Sequence, residues 1–380
     1  MKTKSALFSF LLVPVLTIFA GTALAQGTVP GAGLPTETRP DSIQDTGYWG
    51  YMANAPGSVI SGGILQGKVV LAGSPLLWEP LTVMLSCTAG KASLTTLTDA
   101  DGKYAIDHVN LPKAYTTQDD ALSIQMSQHY EGCTLQAPLA GYHSSSITIT
   151  QKNLRDKPVL DNIVLTPDEH APGTAMSTAG ESASPEAMKA FEKAHDEWLH
   201  RNPDGAQKDL EQAVAIDPQF AEAWYLLGRL QIRTDMNTAA SSLKKAQAAD
   251  PKFVSPCVML AGIAVRQRHW QEASTWTDQA LALNPEGTAQ LWYYAAQADY
   301  HIGKNEAALS SAQRALAIDP EHVVPNAEEL LALALADKGD YADAAQHLRN
   351  SLTYITSGPS ADLIKRQLAF MEQQSSASKR

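Results

Sequence analysis

Four proline-bearing pairs recur at nearly constant spacing: Asp217-Pro218, Asp250-Pro251, Asn284-Pro285 and Asp319-Pro320 lie 33, 34 and 35 residues apart. No other feature restricts the fold so tightly. Proline cannot continue a helix, because it lacks the amide donor and its ring meets the preceding turn, so each pair closes a unit. Small residues precede each pair at helical spacing: Ala206/Leu210/Ala213, Ala239/Leu243/Ala246, Ala273/Thr277/Ala280 and Ala308/Ala312/Ala315. Side chains of that size let the two helices of a hairpin, and then the next hairpin, approach closely. A period of about 34 residues implies a stack of helix–turn–helix units. Ser184-Pro185-Glu186 opens the first helix with a cap, a first-turn proline and an acid at the positive helix end.

Trp224, Leu227, Gly228, Ala239 and Pro251 in the second unit, and Trp292, Ala296, Gly303, Ala308 and Pro320 in the fourth, resemble the tetratricopeptide-repeat family. A fifth unit, shifted by an insertion around Glu321–Val324, shows Gly339-Asp340-Tyr341, Ala344 and Leu348, with Thr356 where proline is expected. The first unit departs at Lys193 and Ala194, which stand at the family's Leu-Gly positions. Asp362–Gln374 reads as a solitary helix closing the stack.

In this family the first helices line a concave groove. The resemblance assigns to that groove Phe191, His195 and Trp198, then Tyr225, Arg229 and Arg233, then Val258 and Arg266, then Tyr293, Gln297, Tyr300 and His301. Aromatic and arginine side chains are what protein-binding surfaces enrich, which implies a protein or peptide partner. Three arginines favour a partner segment that carries carboxylates. The competing reading packs the tyrosines between helices and sets the arginines against an acidic surface. The family's carboxylate-clamp set is absent.

Residues 58–166 have a different pattern. Short runs rich in Val, Ile, Leu and Thr (Lys68–Leu71, Thr82–Ser86, Leu94–Thr98, Tyr104–Asp107, Leu122–Met126, Thr134–Ala137, Ser146–Thr150 and Asn162–Leu165) are punctuated by Gly, Pro, Asn and Asp. Asp99-Ala100-Asp101-Gly102 between two of them signals a tight hairpin. Seven or eight short strands indicate a small β-sandwich. Gln66–Val69, Leu81–Cys87, Thr98–Tyr104 and Gly141-Tyr142 resemble the carboxypeptidase regulatory-like family, which implies a transthyretin- or immunoglobulin-like sandwich and no peptidase activity.

Cys87 and Cys133 both lie in this region, and a disulfide between them is favoured over two buried thiols. Closing their 46-residue separation would stabilise by roughly 4 kcal/mol. Cys257 takes the helix position of Trp224 and reads as a packing residue.

Lys2 and Lys4, an apolar stretch from Ala6 to Ala20 and Ala23-Leu24-Ala25 have the layout of a signal peptide cleaved before Gln26. Export is expected, to the periplasm or beyond, with no membrane span left afterwards. The expected organisation is a signal peptide (1–25), a Pro/Gly-rich leader (26–57) containing Tyr48, Trp49 and Tyr51, the sandwich (58–166), a linker (167–183), the solenoid (184–374) and a short tail (375–380). The net charge is −11, with 40 acidic against 29 basic residues, and neither domain is basic, so a nucleic-acid footprint is excluded.

No His-Glu-x-x-His, Gly-x-Ser-x-Gly or phosphate-loop spacing occurs, so no enzyme, cofactor or metal centre is expected. Asp99-x-Asp101-Gly102 lacks the sixth-position glycine and twelfth-position glutamate of a calcium loop. His195 and His301 alone do not make a metal site. The expected function is a non-enzymatic adaptor or scaffold of the bacterial envelope. A glycan-binding role for the sandwich is the alternative, and it requires displayed aromatics, Trp78 and Tyr142 above all.

Overall fold

The computed structural model describes residues 65–72, 77–87, 94–99, 101–106, 130–150, 152–153, 159–178, 183–319 and 322–378. The expected signal peptide, the leader with its aromatics, and the expected strand at Leu122–Met126 lie outside these residues.

Among the described residues, two four-stranded sheets form the N-terminal domain. In the first, β4 (Lys103–Ile106) pairs antiparallel with β1 (Leu65–Leu71), which runs parallel to β8 (Ile163–Pro167). The edge is β6 (Tyr142–Ser144), antiparallel to β8. The second sheet is fully antiparallel, in the order β3 (Leu94–Leu97), β2 (Thr82–Ser86), β5 (Thr134–Gln136), β7 (Ile147–Thr148). Alternation places Val83 and Leu85 of β2 inward, where they meet Leu135, Val69, Ile163 and Leu165 in one core. β6 is absent from the strands expected from sequence, because Tyr142-His143-Ser144 carries no apolar alternation.

Two local features explain sequence choices. Asp99 Oδ1 accepts from the amides of Asp101 (3.0 Å) and Lys103 (2.8 Å), and Gly102 turns the hairpin at a φ of 78°. Gly67 stands opposite Tyr104, whose ring and hydroxyl lie where a Cβ would be. Just past the Ser86–Thr134 pairing, Cys87 and Cys133 are joined by a disulfide.

Eleven helices follow. They pair as α1 (Pro185–Leu199) with α2 (Pro203–Ile216), α3 (Ala221–Gln231) with α4 (Met236–Ala249), α5 (Val254–Arg266) with α6 (Trp270–Leu283), α7 (Ala289–His301) with α8 (Asn305–Ala317), and α9 (Asn326–Asp337) with α10 (Tyr341–Tyr354). α11 (Gly358–Ser378) lies against α10 and covers the end with Ile364 and Met371. The alanines that mark the period are wholly buried, among them Ala206, Ala239, Ala273 and Ala308. Gly228 permits a close approach of α3 and α4: a Cβ there would stand 2.8 Å from Leu243 Cγ.

The aspartates before proline are turn-makers. Asp217 and Asp250 each accept from the amide two residues on (3.0 Å), and Asp319 accepts from Val323 (2.9 Å) and Val324 (2.7 Å). Trp224 and Trp292, which stand at equivalent positions in repeats two and four, have the same task. Trp224 donates to the Pro218 carbonyl (3.0 Å) and Trp292 to that of Glu286 (2.9 Å), which ties each first helix to the turn before it. Among the described residues no helix is long and apolar enough to cross a membrane.

Candidate functional site: the concave face and what covers it

First helices supply the groove, and equivalent positions recur from repeat to repeat. Phe191, Tyr225, Val258, Tyr293 and Glu329 occupy one such position on α1, α3, α5, α7 and α9. His195, Arg229 and Gln297 stand one helical turn further on.

At the first two repeats these side chains are covered by the chain's own sandwich. The segment Leu77–Glu79, just before β2, enters the groove. Trp78 is 6% exposed and belongs to the solenoid's core rather than the sandwich's. Its ring lies 5.3 Å from Phe191 and 4.9 Å edge-on from His195, with Phe220 behind Phe191 at 4.7 Å. His195 Nε2 stands 3.1 Å from the Leu77 carbonyl. A carbonyl only accepts, so this nitrogen carries the proton.

Glu79 then places one carboxylate oxygen between Tyr225, whose hydroxyl donates at 2.9 Å, and Arg229, which forms an ion pair with it. Arg229 is 8% exposed and lies over the Tyr225 ring at 5.3 Å, while Tyr225 meets Phe253 edge-on at 4.9 Å. A buried guanidinium without an anion is costly, and Glu79 supplies that anion.

The described residues of the expected linker (167–183), 167–178 and 183, form a strap between the domains. Thr174 pairs with Phe253 as a parallel bridge, through Thr174 N–H to the Lys252 carbonyl and Val254 N–H to the Thr174 carbonyl, both 2.9 Å. Ser255 Oγ donates to the Ala175 carbonyl (2.5 Å) and Ser177 Oγ to Asp250 (2.7 Å). Ser177 N–H donates to Glu222 (3.2 Å) and Ser184 N–H to Asp217 (3.1 Å). On the sandwich side, Tyr142 donates to the Met176 carbonyl at 3.2 Å, and Gly141 carries a φ of 77° under Gly173 and Thr174. Burial, with Glu79 and Asp250 nearby, pushes the Glu222 carboxyl up to about 7 against the opposing effects of Ser177 N–H and Arg229.

The later repeats differ. Tyr293, 8% exposed, accepts from Gln297 of its own helix (3.0 Å), and burial and Glu329 push its hydroxyl well up. Burial pushes Glu329 up as well; it lies beside Gln367 of α11. Tyr300 is pushed up to about 12 by burial and by Asp337, with which it shares a hydrogen bond. Trp198 and Val258 are half-buried, whereas Arg233 and Arg266 are exposed. His301 stacks on Trp270 at 3.9 Å.

The three groove arginines, Arg229, Arg233 and Arg266, are therefore not alike. The first is buried against a carboxylate, and the other two face solvent. Burial pushes the Cys257 thiol up to about 12, and the thiol donates to Gln247 (3.0 Å). Among the described residues no group of three or more His, Cys, Asp or Glu could hold a metal ion. Glu79, Ser177 and Glu222 were missed from sequence because nothing local to them predicts a contact across domains. Glu329 could have been found by extending the register from Gly339 back through the shifted fifth repeat.

The tetratricopeptide-repeat family profile matches residues 191–252 and 258–323. Those matched stretches are tetratricopeptide repeats, and the helical half as a whole has the form of a tetratricopeptide-repeat-like solenoid. No curated protein matches the chain. Among solved structures, a tetratricopeptide-repeat protein with an unusual peptide-binding site, YrrB, is 20% identical with a TM-score of 0.43, covering 50% of this chain and 96% of its own. The MamA protein is 21% identical with a TM-score of 0.40, covering 44% of this chain and 91% of its own. MamA from residue 41 onward of Desulfovibrio magneticus RS-1 is 17% identical with a TM-score of 0.41, covering 47% and 99%. At such scores the likeness has no functional content. The tetratricopeptide-repeat array accounts for the groove; the cover over its first two repeats belongs to this chain's own sandwich and strap.

Proposed function

We propose that this protein is a non-enzymatic protein-binding scaffold of the bacterial envelope, exported by its signal peptide, that receives a partner segment in the concave groove of its repeats. The observation that carries the reading is the Tyr225–Arg229 pair holding the Glu79 carboxylate. This groove already grips a segment that carries a carboxylate, which is the partner chemistry its arginines imply. The glycan-binding alternative needs Trp78 and Tyr142 on display. Trp78 is instead buried in the solenoid and Tyr142 is bound to the strap.

Photo-crosslinking residues placed at Arg233, Arg266 and Tyr300, and at exposed Lys208 on α2, test the scaffold in intact cells. One protein crosslinking at the three groove positions and not at Lys208 is the expected result. Equal labelling from Lys208, or none from the groove, would overturn it. N-terminal sequencing of the same material should begin at Gln26.

A further inference from the structure

We propose that Leu77–Glu79 is a tethered ligand: the groove of the first two repeats is a peptide site occupied in cis, and the partner that takes it in trans carries a bulky aromatic residue followed directly by a carboxylate. This rests on the scaffold reading and specifies the chemistry of its partner.

Three contacts define the recognition, and each acts on a group that any such peptide supplies. An aromatic slot between Phe191 and His195 receives the ring. The His195 Nε2–H takes the backbone carbonyl of the preceding residue. Tyr225 and Arg229 take the carboxylate. The order of the three along the chain, Leu77 carbonyl, Trp78 ring and Glu79 carboxylate, fixes the motif as aromatic then acidic.

Charge sets the exchange apart from ordinary interdomain packing. Arg229 is buried, so when Leu77–Glu79 leaves, a replacement without an anion forfeits the ion pair that Glu79 supplies. Vacating the groove and loading it with an acidic segment are therefore one exchange.

The tethered segment is also an imperfect occupant. The Trp78 indole N–H is buried with no hydrogen-bond partner, and a stranded donor weakens whatever places it there. A phenylalanine in the same slot strands nothing. The intrinsic weakness is offset by tethering, because a segment held on the same chain acts at an effective concentration on the order of millimolar. A free peptide with micromolar affinity for the open site would thus bind the wild-type protein about 1000-fold more weakly than the opened one.

The test uses the full chain and a labelled hexapeptide, Leu-Trp-Glu-Pro-Leu-Thr, copied from residues 77–82. Fluorescence anisotropy compares the wild type with the double variant Trp78→Ala/Glu79→Ala. The double variant should bind at least tenfold more tightly. The peptide with Phe for Trp should bind about fivefold more tightly again, and the peptide with Gln for Glu should lose most of its affinity. Adding Arg229→Met to the double variant should abolish the difference between the Glu and Gln peptides.

Circular dichroism confirms that the helices remain. If the double variant does not fold, Glu79→Gln alone, which keeps the ring in its slot, should still raise affinity measurably. Equal affinity for wild type and opened protein, or no binding to an opened protein with intact helices, overturns the proposal. If that happens while crosslinking through Tyr300 still captures one partner, the tethered ligand fails and the scaffold stands. Peptide binding without any crosslink from the groove fails the scaffold instead.

Discussion

Tyr225 and Tyr293 occupy the same position in repeats two and four, yet their hydroxyls do opposite work. Tyr225 donates across a domain boundary to Glu79, whereas Tyr293 accepts from Gln297 on its own helix and faces Glu329 of the next repeat. Repeats one to three are braced from outside by the sandwich loop and the strap. Repeats four and five are closed by their own neighbours and by α11. Repeat position tells which face a residue lies on, and the neighbour that reaches that face decides what the residue does.

The largest test of this contrast is Trp78→Ala. Removing a buried indole should cost about 3–5 kcal/mol. Amide hydrogen exchange should accelerate in α1 and α3 while α7 and α9 keep their protection. Equal loss in both regions would show that the stack unfolds as one block and that the contrast has no energetic meaning. Next, changing Cys87 and Cys133 together to alanine should destabilise the sandwich by about 4 kcal/mol, read by calorimetry, with the later repeats unfolding as before.

A sharper comparison sets Tyr225→Phe against Tyr293→Phe. The first loses a bond to a carboxylate, about 2 kcal/mol, and the second a neutral bond, about 1 kcal/mol, measured by urea titration. Equal costs would erase the distinction.

The smallest effect is pH-dependent. Glu222 titrates near 7 when folded and in the ordinary carboxylate range when unfolded, so the folded state holds the extra proton. Its contribution is full below that ordinary range and is lost as pH rises through about 7. The melting temperature of wild type minus that of Glu222→Gln should therefore fall by a few degrees between pH 5 and pH 8. A difference that stays flat would show Glu222 to be solvated.

The solenoid was legible because its signal is local and repeated: the Asp-Pro turns, the small residues and the tryptophans each act within one or two helices. The strands were legible where apolar alternation exists, as in Thr82–Ser86, and not at Tyr142–Ser144, whose pairing with β8 depends on the strand beside it. The groove was legible as a face. Its occupation was not, because Glu79 reaches Arg229 across 150 positions of sequence and no spacing encodes such a meeting. Trp78 shows the same limit. An isolated tryptophan in a sandwich loop reads as display, and burial against α1 is visible only when both domains are folded together.

The strap has a mechanical consequence. It leaves β8, bonds to the start of α5 at Thr174 and Ala175, touches Asp250 and Glu222 through Ser177, and returns to Asp217 at Ser184. A helical-repeat stack is a spring, and its stiffness is set by the interfaces between coils. Here three consecutive coils are sewn together along one edge by a single thread, while among the described residues the coils after α6 have no such stitch from the strap. Tension passed along the strap from β8 would load the third repeat in shear through the Thr174–Phe253 pairing before it reached Ser184. The front of the stack would hold its pitch under load, and the rear would extend and recoil.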